Sequence, residues 1–445
     1  MKKYIRYVNE LKTFFRKRED TIQNIMKDEA INKNPFIIQA RQAAKDILLN
    51  LENEHEQNII KSINFDGKNE VSYKSWIKGT IKLDSYNEIY PKNECQYFDR
   101  NGFLYLPSFA SISDEVIPMK DYMKFLVNER WHPLMNNEKD DNNKVMKDGS
   151  LTVFRTDKEQ EKKQGSSDYF LDSSNRIHFF AEKDAVDSEN GSVILKEKYW
   201  KDKMAALNKS GHALHLPSEN EKNPFHDYTT STKIINLVDC LGWKDPVVPQ
   251  SMYIFKQPHI GGAVTSHQDS TFLYTTPKQS CLGLWLALDD ATLSNGCLWV
   301  RPKSHWESIR RKFKRNVNYF EKRDLTQPQM IFESLTTQDV AWEGALPGEE
   351  GKHGNIDGSK EDENEDPYKY IPFLLSAGFI PIECKAGDLL VFNGALDHLS
   401  LANVSDKQRH TFQLHLVEGS KAGVEWADTN WLQYPEGEQF LPLIK

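Results

Sequence analysis

The chain has 445 residues, with 57 Lys and Arg against 65 Asp and Glu, a formal net charge of -8. That acidic balance gives no electrostatic footprint for nucleic acid, and no stretch approaches the roughly 18 apolar residues of a membrane span. The five cysteines (Cys95, Cys240, Cys281, Cys297, Cys384) are odd in number and lack C-x-x-C spacing, which argues against a disulfide framework or a thiolate zinc site. The expectation is a soluble, cytoplasmic protein; the final residues, Pro-Leu-Ile-Lys, are not a peroxisomal Ser-Lys-Leu address, and a peroxisomal location is not excluded.

Residues 1–90 read as a helical N-terminal extension. Ile5, Val8 and Leu11, then Ile37, Ala40, Ala44, Ile47, Leu48 and Leu51, recur at intervals of three and four, the spacing of a helix face. Asn34 and Pro35 form an N-cap and first-turn pair for the second of these helices. Residues 98–109 alternate like a strand after a turn at Asn101-Gly102, residues 114–128 read as a helix, 167–182 as paired strands about a polar turn, and 231–241 as a helix.

From residue 250 the chain becomes strand-rich. Eight short segments (250–256, 271–275, 281–289, 297–301, 378–384, 387–393, 397–402 and 408–417) with turn signals between them predict a jelly roll closed on itself. Residues 306–376 interrupt this core. Their basic start, Arg310 to Arg315, reads as loop, solvated or touching an anionic substrate; their acidic end, Gly348 to Pro367, has too little apolar content to pack. The expected domain is 91–445, with 306–376 as a lid at the barrel mouth.

The chemistry centres on His267-Gln268-Asp269. On a strand, residues i and i+2 project from one face, so an imidazole and a carboxylate can grip one ion from one side. With 13 histidines in the chain, about one His-x-Asp arises by chance, so context must carry the reading. His398, far along the chain, completes a 2-His-1-carboxylate set, which leaves positions open for a chelating co-substrate and dioxygen and suits non-haem Fe(II). Eleven residues later Arg409 offers a guanidinium fork that matches a carboxylate, and Ser400 shares the face of His398 and adds a hydroxyl. His212 and His215 read as structural or supporting, His305 as a rim residue, and His410 and His415 as ordinary strand residues. Walker, Rossmann and G-x-S-x-G motifs are absent.

At these residues, and through the stretches SSDYFLDSSNRIHFFAEK, NKSGHALH, QSMYIFKQPHIGG, HQDSTFLYT, LWLALDDATLSNGCLW and TNWLQ, the chain resembles the phytanoyl-CoA dioxygenase family of Fe(II)/2-oxoglutarate oxygenases. The resemblance runs from about Tyr97 to the C-terminus, apart from about Trp306 to Ser376. It implies a mainly β protein with flanking α, a double-stranded β-helix (jelly roll, cupin-like) core. It also implies Fe(II) on His267, Asp269 and His398, with 2-oxoglutarate held by Arg409 and Ser400 in a pocket lined by Lys209, Met252 and Trp285. The implied reaction is oxidative decarboxylation of 2-oxoglutarate, with O2, coupled to hydroxylation of a small organic or acyl substrate, an acyl-CoA or another anionic compound. A non-catalytic jelly-roll binding module that keeps the pocket is the alternative. Lys303 departs from the family's P-G-S-H turn, where many relatives have glycine.

Overall fold

The computed structural model describes residues 33–63, 92–133, 151–153, 167–189, 192–336, 366 and 368–444. Two antiparallel sheets face one another. The larger runs in the order Phe103–Leu106, Leu389–Asn393, Leu282–Ala287, Thr411–Glu418, Pro246–Ile254, Leu207–His212, Ile177–Ala181, with Leu441–Pro442 on Pro246–Ile254. The smaller runs Ile380–Ile382, Leu298–Val300, His398–Ser400, Val264–His267. This is the expected jelly roll, the double-stranded β-helix.

The alternation of side chains along each strand sorts the two faces. In Thr411–Glu418, Phe412, Leu414 and Leu416 join an outer core, whereas Gln413 and His415 point into the space between the sheets. Gln413 pairs with Trp285 on one side and Met252 on the other, so these three form one row on the inner wall. The outer core is completed by the helices Ile117–Arg130, Pro224–Thr229 and Thr232–Cys240, through Met119, Met123, Phe225, Ile234 and Leu237.

The helix Pro35–Ile63 plays the same part behind the smaller sheet. Its Ile37, Ala40, Ala44, Leu48 and Leu51 are buried with Trp299, Phe379, Ile380 and Ile382. Asn34 caps it as its sequence predicts, accepting from the backbone N–H of Phe36 at 2.9 Å. The helical pattern at Ile5 to Leu11 lies outside the described residues.

Three segments differ from their sequence reading. Residues 167–182 hold a short helix, Asp168–Asp172, capped by Ser167, and then one strand, Ile177–Ala181, whose partner is the strand Leu207–His212. Residues 271–275 lie largely outside strands: a 3-10 turn occupies Asp269–Thr271, and only Thr275–Thr276 pairs, with Glu425–Trp426. The basic run is a strand, Arg311–Arg315, paired with Met330–Ser334. Its four charges hide the alternation, which rests on Phe313 alone, buried opposite Phe332. The acidic stretch lies outside the described residues except for Asp366, which accepts from Asn34 Nδ2 at 2.9 Å. Lys303 takes the left-handed conformation (φ 69°) that glycine adopts without a Cβ penalty.

Candidate metal and co-substrate site

The strand Val264–His267 ends at His267, and Asp269 opens the turn that follows. His398 begins its strand directly opposite His267 in the register of the smaller sheet. The ligand atoms of His267, Asp269 and His398 lie within 4.8 Å of one another. Asp269 Oδ1 is 3.5 Å from His267 Nε2 and 3.6 Å from His398 Nε2.

The tautomers suit a metal. His267 Nδ1 donates to the Thr265 carbonyl at 2.8 Å and His398 Nδ1 to the Leu396 carbonyl at 3.0 Å, so each Nε2 keeps its lone pair for the cavity. Burial, with His267 alongside, brings His398 down to about 4, keeping its imidazole neutral at physiological pH. Burial alone would raise the Asp269 carboxyl; the imidazoles of His415 and His398 outweigh it and hold the group well below the usual carboxylate range. Gly283 contributes by having no side chain. A Cβ there would lie 2.5 Å from the ring of Phe392, which crosses over it to pack 4.7 Å from the His398 ring.

A cavity of about 200 Å³ opens beside the triad, and all eight residues singled out in the sequence line it: Lys209, Met252, His267, Asp269, Trp285, His398, Ser400 and Arg409. Arg409 is 2% exposed, its guanidinium 5.5 Å from the Trp285 ring. Burial lowers it to about 10, and its Nε has no hydrogen-bond partner among the described residues, nor has the indole N–H of Trp285. Two buried donors without acceptors fit an anionic guest at this end. Ser400 Oγ faces the same end. Lys209 is buried between Phe170 and Phe180, 3.3 Å from His212 Nε2, and burial lowers it to about 7.

Two further residues escaped the sequence reading. Lys256 is buried, donating to Ser400 Oγ at 2.9 Å and to the Gly262 carbonyl at 2.8 Å. Gly296, at φ 83°, clears its path, since a Cβ there would collide with the lysine stem. His415 accepts at Nδ1 from Gln250 Nε2 and therefore donates from Nε2 to Asp269 Oδ2 at 3.0 Å. Both extend period-two series already in hand: Lys256 follows Met252 and Ile254, and His415 follows Arg409, Thr411 and Gln413. The other histidines sort out as structural neighbours. His212 meets Ser173 and Lys209, His215 meets Ser251, His305 meets the Asp99 carbonyl, and His410 meets Tyr253.

A jelly roll offering two imidazoles and a carboxylate to one side of a cavity whose far end wants an anion is built as the Fe(II)- and 2-oxoglutarate-dependent oxygenases are. Comparison with known proteins agrees. The family described as Phytanoyl-CoA dioxygenase (PhyH) matches residues 98–411. The Arabidopsis thaliana protein named Phytanoyl-CoA dioxygenase is 34% identical over 354 residues, 79% of this chain and 97% of that one. Phytanoyl-CoA dioxygenase 1 of Oryza sativa subsp. japonica is 36% identical over 341 residues (76% and 92%), and Phytanoyl-CoA dioxygenase domain-containing protein 1 of Mus musculus 34% over 352 (79% and 97%). The chain belongs to the phytanoyl-CoA dioxygenase family. It is a non-haem-iron enzyme whose cofactor is Fe(II) and whose co-substrates are 2-oxoglutarate and O2.

Proposed function

We propose that this enzyme hydroxylates a small organic or acyl substrate that carries an anionic group, with iron on His267, Asp269 and His398. The supporting observation is the pairing, in one cavity, of that triad with the buried guanidinium of Arg409, whose Nε lacks a partner among the described residues. Bound iron supplies dioxygen activation coupled to decarboxylation of 2-oxoglutarate to succinate, and hence oxidation of a substrate C–H bond.

The chain's own residues do the rest. Arg409 pairs with the distal carboxylate of 2-oxoglutarate, with Ser400 and its bound Lys256 beside it, while Met252 and Trp285 form apolar walls. Lys209 places a second cation in the wall. Phe272, Phe313, Phe332, Phe170 and Trp431 line the same cavity and keep water out. Arg311, its guanidinium 4.3 Å from the Phe332 ring, lines the cavity with them and gives the anionic preference. The strands Arg311–Arg315 and Met330–Ser334 thus act as the lid. Asp269 occupies the position that must be vacant for chloride to bind, so the outcome is hydroxylation and not halogenation.

The test is succinate formation by the purified protein. It should require Fe(II), 2-oxoglutarate and oxygen together, and be lost in His267→Ala and His398→Ala along with metal binding. Turnover that survives in either variant would remove the ligand assignment, and a chlorinated product in chloride buffer would remove the reaction type.

A further inference from the structure

The three triad side chains come from two separate pieces of chain, and the residues beside them lead to one place. Gln268, between His267 and Asp269, is completely buried; its Nε2 donates to the Ala395 carbonyl at 2.9 Å and its Oε1 accepts from the Arg310 backbone N–H at 3.2 Å. Asp397 immediately precedes His398. Strand alternation turns it away from the cavity, and its buried carboxylate is taken by the guanidinium groups of Arg310 and Arg301. The Asp397 backbone is fixed as well: its N–H donates to Ser304 Oγ at 2.9 Å, and its carbonyl accepts from the Arg301 N–H at 3.0 Å. Arg310 therefore grips one piece of the triad through its backbone and the other through its side chain. The next residue, Arg311, begins the strand that covers the cavity.

We propose that Arg310, acting through Gln268 and Asp397, is a positioning residue that sets the spacing of the metal ligands. None of the three belongs to the proposed ligand set. They fix the distance between the His267–Asp269 segment and the His398 segment, which in the sheet itself meet only through short, irregular pairing between His398–Ser400 and Val264–His267. A facial site needs this control because ligands drawn from two segments can drift apart, whereas supports of this kind are worth roughly tenfold or more in metal affinity. The inference rests on the triad being the metal site.

The experiment titrates Co(II) alone into the metal-free protein and reads both the dissociation constant and the visible absorption bands, which report coordination geometry. Wild type, Gln268→Met, Asp397→Asn, Arg310→Lys and His398→Ala are compared after circular dichroism confirms folding. Gln268→Met and Asp397→Asn should weaken Co(II) about tenfold and change the band shape, with Arg310→Lys intermediate. KM for 2-oxoglutarate should stay within about threefold of wild type, because the Arg409 end is untouched, while kcat for succinate falls. Co(II) binding within twofold of wild type, with an unchanged spectrum, in Gln268→Met would overturn the proposal. That variant removes no charge, so it decides the matter even where Asp397→Asn does not fold. Should wild type fail to bind Co(II), or His398→Ala bind it as tightly as wild type does, the triad assignment fails instead.

Discussion

His415 Nε2 donates to Asp269 Oδ2 at 3.0 Å, which leaves Oδ1 facing the two triad histidines. One carboxylate oxygen is thus spoken for by the protein and the other is aimed. Because Gln250 donates to the opposite ring nitrogen, the proton position on His415 follows from the hydrogen bonds. His415→Leu should therefore free Asp269 to rotate and leave a buried carboxylate short of a donor. We expect a 10- to 100-fold loss of metal affinity, the usual scale for such supports, with the fold retained. Isothermal titration with Mn(II) measures it, and unaltered affinity would show that Asp269 is held by other means.

Arg409→Leu tests the co-substrate end. Removal of one partner of a desolvated charge pair costs about 2–5 kcal/mol, so KM for 2-oxoglutarate should rise by at least about 30-fold while metal stays bound. Lys256→Met should have a smaller effect, because its Nζ already satisfies Ser400 and the Gly262 carbonyl. Steady-state succinate assays separate the two. If Lys256→Met is the more damaging, the principal anchor is the lysine.

Strand period and the family resemblance together made most of this site legible, although Asp269 stands in the turn after the strand and not on it. His267, His398, Ser400 and Arg409 stand on short runs whose alternation is clear, and Trp285 and Met252 lie one pair away from Gln413 on the same inner row. His415 and Lys256 obey the same parity and were passed over for different reasons. His415 looks like any strand histidine until its partner is known, and Lys256 lies just beyond the regular strand at φ 31°. The link from Arg310 to Asp397 spans 87 positions, and no local pattern reports it. The strand Arg311–Arg315 was hidden because pairing with Met330–Ser334, not its own propensity, makes it a strand.

Lys209 gives a pH signature. Burial lowers it to about 7 in the folded protein, whereas in the unfolded chain it titrates near 10.5. Between those values the unfolded chain carries a proton that the folded chain lacks, so this residue makes stability rise with pH through the window; below about pH 7 both states are protonated and the destabilisation is constant. An anionic co-substrate near Nζ favours the charged form. Binding of 2-oxoglutarate near pH 8 should thus take up close to one proton. Calorimetry in two buffers of different ionisation enthalpy reads the number directly. Wild type should show the uptake and Lys209→Met should not; zero uptake in wild type places the anion away from Lys209.

The basic run shows how neighbouring basic residues can have unrelated tasks. Arg310 is buried against Asp397, Arg311 lines the cavity, Lys314 pairs with Glu333 at 2.8 Å, and Arg315 donates to the Trp431 carbonyl at 3.1 Å. Neutralising the whole run would mix these effects, so single changes are required. Arg310→Gln leaves a buried carboxylate with one guanidinium fewer. It should lower stability by up to about 3–5 kcal/mol, reduced by whatever Arg301 retains, and depress every activity. Arg311→Gln, by contrast, removes a half-buried cation from the cavity wall. Succinate formation in the absence of a prime substrate should stay within about twofold of wild type, since Arg311 is neither one of the three proposed ligands nor the proposed co-substrate anchor. Stimulation of that turnover by anionic candidates, acyl-CoA thioesters among them, should fall, while stimulation by neutral analogues should not. Both variants must be assayed alongside thermal melts. If Arg311→Gln loses basal and stimulated turnover together, the residue supports the barrel, and the anionic preference has to be sought at Lys209 instead.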